Sequence, residues 1–257
     1  LGRILAAVSK PLILVTNDDG AAAPGLKALI EVAQEFGEVV VVAPDSPQSG
    51  QGHAITFTQP LRLNPIDIFG EVEAYECSGT PVDCVKLAKH VVLEGRKADL
   101  CISGINHGSN AGVNILYSGT MSAAMEASLE GINSIGFSLL DYTWKANMEI
   151  AKPYVRQLIA GVLKKGLGPT RLLNVNIPKG VDHSIRGIKI CRQAEARWVE
   201  RFQKNTDPTG REYYWLTGEF KSEDEGSDTD IHALNANYVS VVPCKHDLTQ
   251  SDALTQL

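Results

Sequence analysis

The stretch Pro11-Leu12-Ile13-Leu14-Val15-Thr16-Asn17-Asp18-Asp19-Gly20 decides the fold. Its first half is short, aliphatic and free of polar alternation. A strand buried on both faces of a parallel sheet has this pattern. The second half turns abruptly polar. Asp18 and Asp19 stand side by side at the end of that strand. Adjacent carboxylates there repel each other and lose hydration unless a cation or hydrogen-bond donors compensate. A bound metal ion accounts for such a pair most directly.

Downstream, Pro24 suits a first helical turn, Leu26, Leu29, Ile30, Ala33 and Phe36 recur at helical spacing, and Gly37 suits a stop. Val39 to Ala43 reads as a second buried strand. Strand, helix and strand within about 35 residues form a βαβ unit with parallel strands. Pro44 to His53, with two Pro and two Gly, is a loop leaving that strand's C-terminal end. Residues 54–77 alternate loosely and are expected to form short antiparallel strands. Thr80 and Pro81 open a helix as N-cap and first residue, ended by Gly95. Asp99 to Ile102 is a third strand, running into a long loop of small side chains from Ser103 to Gly112. A helix is expected over Met121 to Glu130, a strand within Ile132 to Leu140, and a helix over Trp144 to Lys165, entered or kinked at Pro153. Strands follow at Leu172 to Ile177 and Ile185 to Cys191. Two aromatic-rich stretches, Arg197 to Phe202 and Arg211 to Phe220, flank a turn and signal a hairpin. A short helix and a strand from Tyr238 to Pro243 close the chain.

The 257 residues suffice for one large α/β domain with an appended arm. The formal charge of −6 argues against a nucleic-acid-binding surface, and no apolar run is long enough to span a bilayer. The opening Leu1 to Lys10 reads as an ill-ordered leader or a cloning remnant. The five cysteines are odd in number, widely spaced and without a C-x-x-C. That favours reduced, buried thiols and a cytoplasmic protein.

Three polar loops leave strand C-terminal ends: the Asp18/Asp19 turn, the Ser49 loop and the Asn106 loop. In one parallel sheet such ends line a shared ligand crevice. Carboxylates, hydroxyls and amide oxygens suit a hard cation, Mg²⁺, Mn²⁺ or Ca²⁺, rather than zinc. The loops hold almost no Lys or Arg. A phosphate bound here is met by the metal, by glycine-turn N–H groups and by the helix start at Ser118 to Thr120. Hydrolysis then calls for a metal-activated water. Each piece alone has a plainer reading. Asp-Asp-Gly is a turn, Ser49-Gly50 a loop, Gly79-Thr80-Pro81 a cap, and His53 and His107 loop surface.

These motifs together resemble the SurE survival-protein family. Val15 to Gly20 with Ala23-Pro24-Gly25 looks like its opening, and Val42-Ala43-Pro44-Asp45 with Ser49-Gly50 like its second motif. Gly79-Thr80-Pro81 with Asp83-Cys84-Val85 matches the third. Ser103 to Asn106, Gly108, Asn110, Gly112 and Tyr117 to Thr120 match the fourth. Tyr238 to Val241 with Pro243 and Asp247-Leu248-Thr249 resembles the end. The resemblance implies a metal-dependent phosphatase of nucleoside 5′-monophosphates, often also of 3′-monophosphates and short polyphosphate. It implies one Mg²⁺ or Mn²⁺ per subunit on Asp18, Asp19, Ser49 and Asn106, with Asp18 and Asp19 catalytic. Phosphate contacts fall on Asn17, Gly50, Asn110, Ser118, Gly119 and Thr120. The implied fold is α/β, a Rossmann-like three-layer sandwich with a mostly parallel sheet. The core is expected over 11–190 of a single domain. A hairpin and arm over 191–257 are expected to join subunits into a homodimer or homotetramer. Where some relatives carry a His two residues before Asp-Leu-Thr, this chain has Lys245, with His246 one residue later. No C-terminal His is therefore counted as catalytic.

Two other readings compete. A phosphatase with an aspartyl nucleophile needs Asp-x-Asp spacing and a partner Lys, and neither is clear. A non-catalytic Mg²⁺-binding regulator has an acidic pair after its first strand, but no place for the glycine-rich 104–119 segment.

Overall fold

In the computed structural model, residues 10–180 and 184–254 are described. All but the last residue of the expected leader lies outside them. Strand β1 (Leu12–Thr16) is buried at every position. It pairs in parallel with β2 (Glu38–Pro44) on one side and with β5 (Leu100–His107) on the other. Beyond β2 lie β4 (Glu73–Cys77), parallel to it, and the short β3 (Leu63–Pro65). Beyond β5 lie β6 (Asn133–Leu139) and β7 (Leu172–Ile177), also parallel. β11 (Val239–Cys244) runs antiparallel beside β7, and β8 (Ile188–Ile190) ends the nine-stranded sheet. From β1 the chain first builds outward through β2 and β4, then through β5 to β7 on the opposite side. The direction of build-up reverses between β1 and β5. In open parallel sheets the ligand crevice opens at that point, beyond the carboxyl ends of the strands.

The unbroken aliphatic reading of β1 and β2 has a simple origin. Successive side chains point to opposite faces, and here both faces are covered. Ile13, Val15, Val39 and Val41 pack with Leu26 and Leu29 of α1 (Pro24–Ala33) and with Val155 and Ile159 of α4 (Lys152–Lys165). Leu14, Val40 and Val42 pack with Cys84 and Val85 of α2 (Pro81–Leu87) and with Ala123 and Ala127 of α3 (Gly119–Leu129). Helix, sheet and helix make three layers, as expected. The antiparallel hairpin of β9 (Ala196–Thr206) and β10 (Glu212–Ser222) forms a separate two-stranded sheet.

Several boundaries differ from the sequence reading. β5 does not end at Ile102 but continues to His107, with its register against β6 shifting between Ser103 and Asn106. Gly104 sits in that shift at φ +128, where an added Cβ would strike the Phe137 carbonyl oxygen. A bulge therefore looks like a loop in the sequence. The helix expected from Trp144 begins only at Lys152, after a 3₁₀ turn at Met148–Ile150 capped by Asn147. Residues 144–147 are left as loop. Only β3 of the expected antiparallel excursion over 54–77 is antiparallel, because β4 joins the main sheet. β11, from the segment expected to form the arm, inserts between β7 and β8 of the main sheet.

The cap at Thr80 is a full capping box. Thr80 Oγ1 accepts from Asp83 N at 3.1 Å, and Asp83 Oδ2 accepts from Thr80 N at 2.9 Å. The same carboxylate also accepts from Thr56 N at 3.1 Å and Thr56 Oγ1 at 2.6 Å, tying the 54–57 segment to α2. Asp83→Ala is expected to lower stability by about 2–4 kcal/mol, combining a lost cap with stranded donors. Urea unfolding reads this as a lower midpoint at unchanged slope.

Candidate active site

The carboxyl ends of β1, β2 and β5 and the start of α3 meet around one cleft of about 230 Å³. Asp18, Ser49, Gly50, Asn106, Asn110 and Ser118 all line it, and no Lys or Arg does. Backbone bonds hold the loops together. Gln48 N donates to Asp18 O at 2.8 Å, Ala21 N to Pro44 O at 2.9 Å, and Gly52 N to Tyr117 O at 3.2 Å. Three segments remote in sequence are thus joined through the end of β2 and the loop that follows it.

Asp18 is only 3% exposed. Its Oδ1 accepts from the Thr120 hydroxyl at the start of α3. Gly119 makes this approach possible, because a Cβ there would lie 2.6 Å from Asp18 Cβ and 2.9 Å from Oδ2. Burial, above all, pushes the Asp18 carboxyl up to about 6; the Thr120 hydroxyl pulls it down, and the Asp19 charge pushes it up again. Asp19 is less buried and has a different partner. Its Oδ2 lies 2.9 Å from His107 Nδ1 and accepts from His107 N at 3.3 Å. Asn106 Nδ2 donates to Gly108 O at 3.0 Å, which leaves its Oδ1 as the free end. Ser49 stands exposed at the rim.

Ser118 caps α3 by accepting from Met121 N at 3.0 Å. Asn110 lies beside it on a buried polar network. Its Nδ2 donates to Ser138 Oγ at 2.8 Å, its N to Asn176 Oδ1 at 2.8 Å, and its carbonyl accepts from Asn174 Nδ2 at 2.8 Å. Three of the expected phosphate contacts do not line the cleft. Asn17 is buried and donates its Nδ2 to Gly20 O at 2.9 Å, so it braces the turn. Thr120 is fully buried, with its hydroxyl on Asp18. Gly119 is a close-approach position behind Asp18, not part of the cleft wall.

The sequence reading missed several residues. His107 is not loop surface, whereas His53 stands exposed in its loop as read but has a partner. His107 is 8% exposed and paired with Asp19. His53 Nε2 lies 2.9 Å from Glu126 Oε2 on α3, and Lys86 joins the same carboxylate. The His53 hydrogen bond, foremost, holds Glu126 below the usual carboxylate range, with Lys86 helping against burial. Asn174 and Asn176 were legible in principle. Two amides on one face of an otherwise aliphatic strand need buried partners.

Residues 13–200 match the family described as survival protein SurE. The chain belongs to the SurE family. A protein of Flavobacterium psychrophilum named 5′-nucleotidase SurE is 58% identical over 251 residues, which is 97% of each chain. One of Phocaeicola vulgatus with the same name is 44% identical over 249 residues, 96% of each chain. The crystal structure of the SurE protein of Aquifex aeolicus superposes with a TM-score of 0.84 at 41% identity, covering 96% of this chain and 98% of that one. The SurE fold therefore accounts for the whole arrangement, hairpin included.

The raised Asp18 pKa has a stability consequence. In the metal-free protein the folded state keeps a proton that the unfolded chain has already released between roughly pH 4 and pH 6. Stability from this group is complete at the low end and falls as pH rises through about 6. Asp18→Asn is therefore expected to raise the Tm of the metal-free protein at pH 7.5 by about 5 °C and to leave it unchanged at pH 4. Melting in EDTA at both pH values checks this. No gain at pH 7.5 would contradict the buried-charge account.

Proposed function

We propose that this chain is a divalent-metal-dependent phosphomonoesterase that hydrolyses nucleoside 5′-monophosphates. One Mg²⁺ or Mn²⁺ per subunit is held by Asp18, Asp19, Ser49 and Asn106. The observation that carries this reading is the cleft itself. Its wall brings carboxylate, hydroxyl and amide oxygens around a buried carboxylate whose pKa is raised, with His107 beside them and no Lys or Arg. Such a donor set fits a hard cation. Among the described residues no group of three or more His, Cys, Asp or Glu forms a metal cluster, so Ser49 and Asn106 complete the set. Relatives named 5′-nucleotidase SurE at up to 58% identity support the activity.

The bound cation supplies Lewis-acid polarisation of the phosphoryl group and a more acidic water. The chain's own residues position the substrate. Gly50, Asn110 and Ser118 of the cleft wall receive the phosphate at the positive end of α3, with the backbone N–H of Gly119 just behind them. Asn17 braces the turn beneath this set through one amide N–H and keeps its second donor for the site. Thr120 acts through Asp18, whose carboxylate it orients. Tyr117, Tyr142 and Trp198 line the outer part of the cleft and present flat faces to a nucleobase. Trp198 is held in place by its Nε1 donating to Asn114 Oδ1 at 2.8 Å. Activity on 3′-monophosphates and short polyphosphate belongs to the same reading, since the phosphate site alone does not distinguish the ester.

The hairpin carries exposed Phe202, Tyr214, Trp215 and Leu216 on an isolated two-stranded sheet. We assign it to self-association as a homodimer or homotetramer. The described residues contain no helix long and apolar enough to cross a membrane. All five cysteines are free, which supports a cytoplasmic location.

Phosphate release from a panel of nucleotides, with and without EDTA, tests the activity. Release should stop in EDTA and return with Mg²⁺ or Mn²⁺. Asp19→Asn should lose most turnover at unchanged melting behaviour, and full activity with metal bound would remove Asp19 from the site. Trp198→Ala should raise KM for nucleotides about tenfold while leaving a small aryl phosphate unaffected, as expected for loss of roughly 1–2 kcal/mol of aromatic contact. Equal effects on both substrates would overturn the nucleobase role.

A further inference from the structure

We infer that His107 is a positioning residue that holds Asp19 with one carboxylate oxygen turned away from the cation site. This rests on the reading above, in which Asp19 holds the cation. His107 ends β5 directly after Asn106. Both its ring Nδ1 and its backbone N–H reach the same oxygen, Asp19 Oδ2, at 2.9 and 3.3 Å. A carboxylate has no hydrogen to give, so Nδ1 carries the proton and donates. Two donors on Oδ2 leave Oδ1 as the free acceptor and fix the rotation of the carboxylate.

The ring itself is fixed. It stacks on Trp144 with centroids 5.3 Å apart and planes within 13°. Its side chain is 8% exposed, and its Nε2 is buried without a partner. An imidazole carrying an unsatisfied buried nitrogen is costly to place there. The Nδ1 contact to Asp19 gives a reason for its presence at this position. Trp144, in the loop before the 3₁₀ turn at Met148–Ile150, reaches the end of β5 through this stack. The role requires no change of protonation. It is the geometry by which donors behind a ligating group set its orientation, and loss of such a partner commonly weakens metal binding about 10–100-fold.

Calorimetric titration of the metal-free protein with Mn²⁺ tests this directly. His107→Ala is expected to weaken Mn²⁺ binding at least about tenfold. His107→Asn places an amide N–H where Nδ1–H stood and should restore most of the affinity. His107→Gln is closer to imidazole in size, but its amide reaches the Nε2 position, so it should not. KM for the nucleotide at saturating Mn²⁺ should be unchanged in all three variants, and their melting curves report that the fold is kept. Wild-type Mn²⁺ affinity in His107→Ala, or rescue by Gln equal to that by Asn, overturns the positioning role. Asp19→Asn run in parallel separates the two levels. If it binds Mn²⁺ normally, the assignment of Asp19 fails; if it does not and His107→Ala does, only the role of His107 fails.

Discussion

One buried carboxylate organises this molecule. Asp18 ends the turn after β1, where the sheet reverses its direction of growth, and it touches the first turn of α3 across the crevice. The contact demands a missing side chain at Gly119 and a hydroxyl at Thr120. The Asp18 backbone carbonyl meanwhile accepts from Gln48 N and so holds the Ser49 loop in place. The side chain and backbone of a single residue thus join β1, the loop after β2 and α3. Charged and buried, Asp18 opposes folding at neutral pH until something positive sits beside it. The site and the fold are coupled through that opposition.

The parts of this arrangement that were legible in the sequence are those set by local rules. An aliphatic run ending in Asn17-Asp18-Asp19-Gly20 marks a doubly buried strand and a polar turn, because both faces of β1 are covered. Thr80-Pro81 marks a capped helix start, and Thr80 caps it as read, with the reciprocal bond from Asp83 completing a box. The convergence of the Ser49 and Asn106 segments on Asp18 followed from the rule that loops at the carboxyl ends of parallel strands share one edge.

What was hidden depends on long-range partners. β5 reads as ending at Ile102 because Ser103-Gly104 mimics a loop. Its continuation depends on pairing Asn106 and His107 with Ser138 and Leu139 of β6. That extension places His107 beside Asp19, 88 positions away in sequence, and no local spacing announces such a pair. His53 is similar: its partner Glu126 lies on a helix that the local pattern shows only as a run of small and good helix-forming residues. The hairpin was visible from its alternating aromatics. The return of β11 into the main sheet was not, because a terminal strand carries no mark of which neighbour it joins.

The scaffold beneath the cleft shows how polar groups are kept near the reacting site without loss of the core. Asn110, Ser138, Asn174 and Asn176 form a chain of hydrogen bonds among β6, β7 and the loop after β5. Each amide added to the interior carries a desolvation cost, and each is answered by another member of the chain. These bonds hold the loop that carries Asn110 against rigid strands on one side. On the other side, α3 is fixed through Ser118 and Thr120. The site thus stands between two rigid elements, with Ser49 and the aromatic side chains of Tyr117, Tyr142 and Trp198 at its exposed rim. In such a frame the unfavourable electrostatics concentrate at the buried Asp18. Any cation that binds the folded state alone would stabilise that state by mass action, and Asp18, which weakens the empty fold at neutral pH, would gain most from a positive charge beside it.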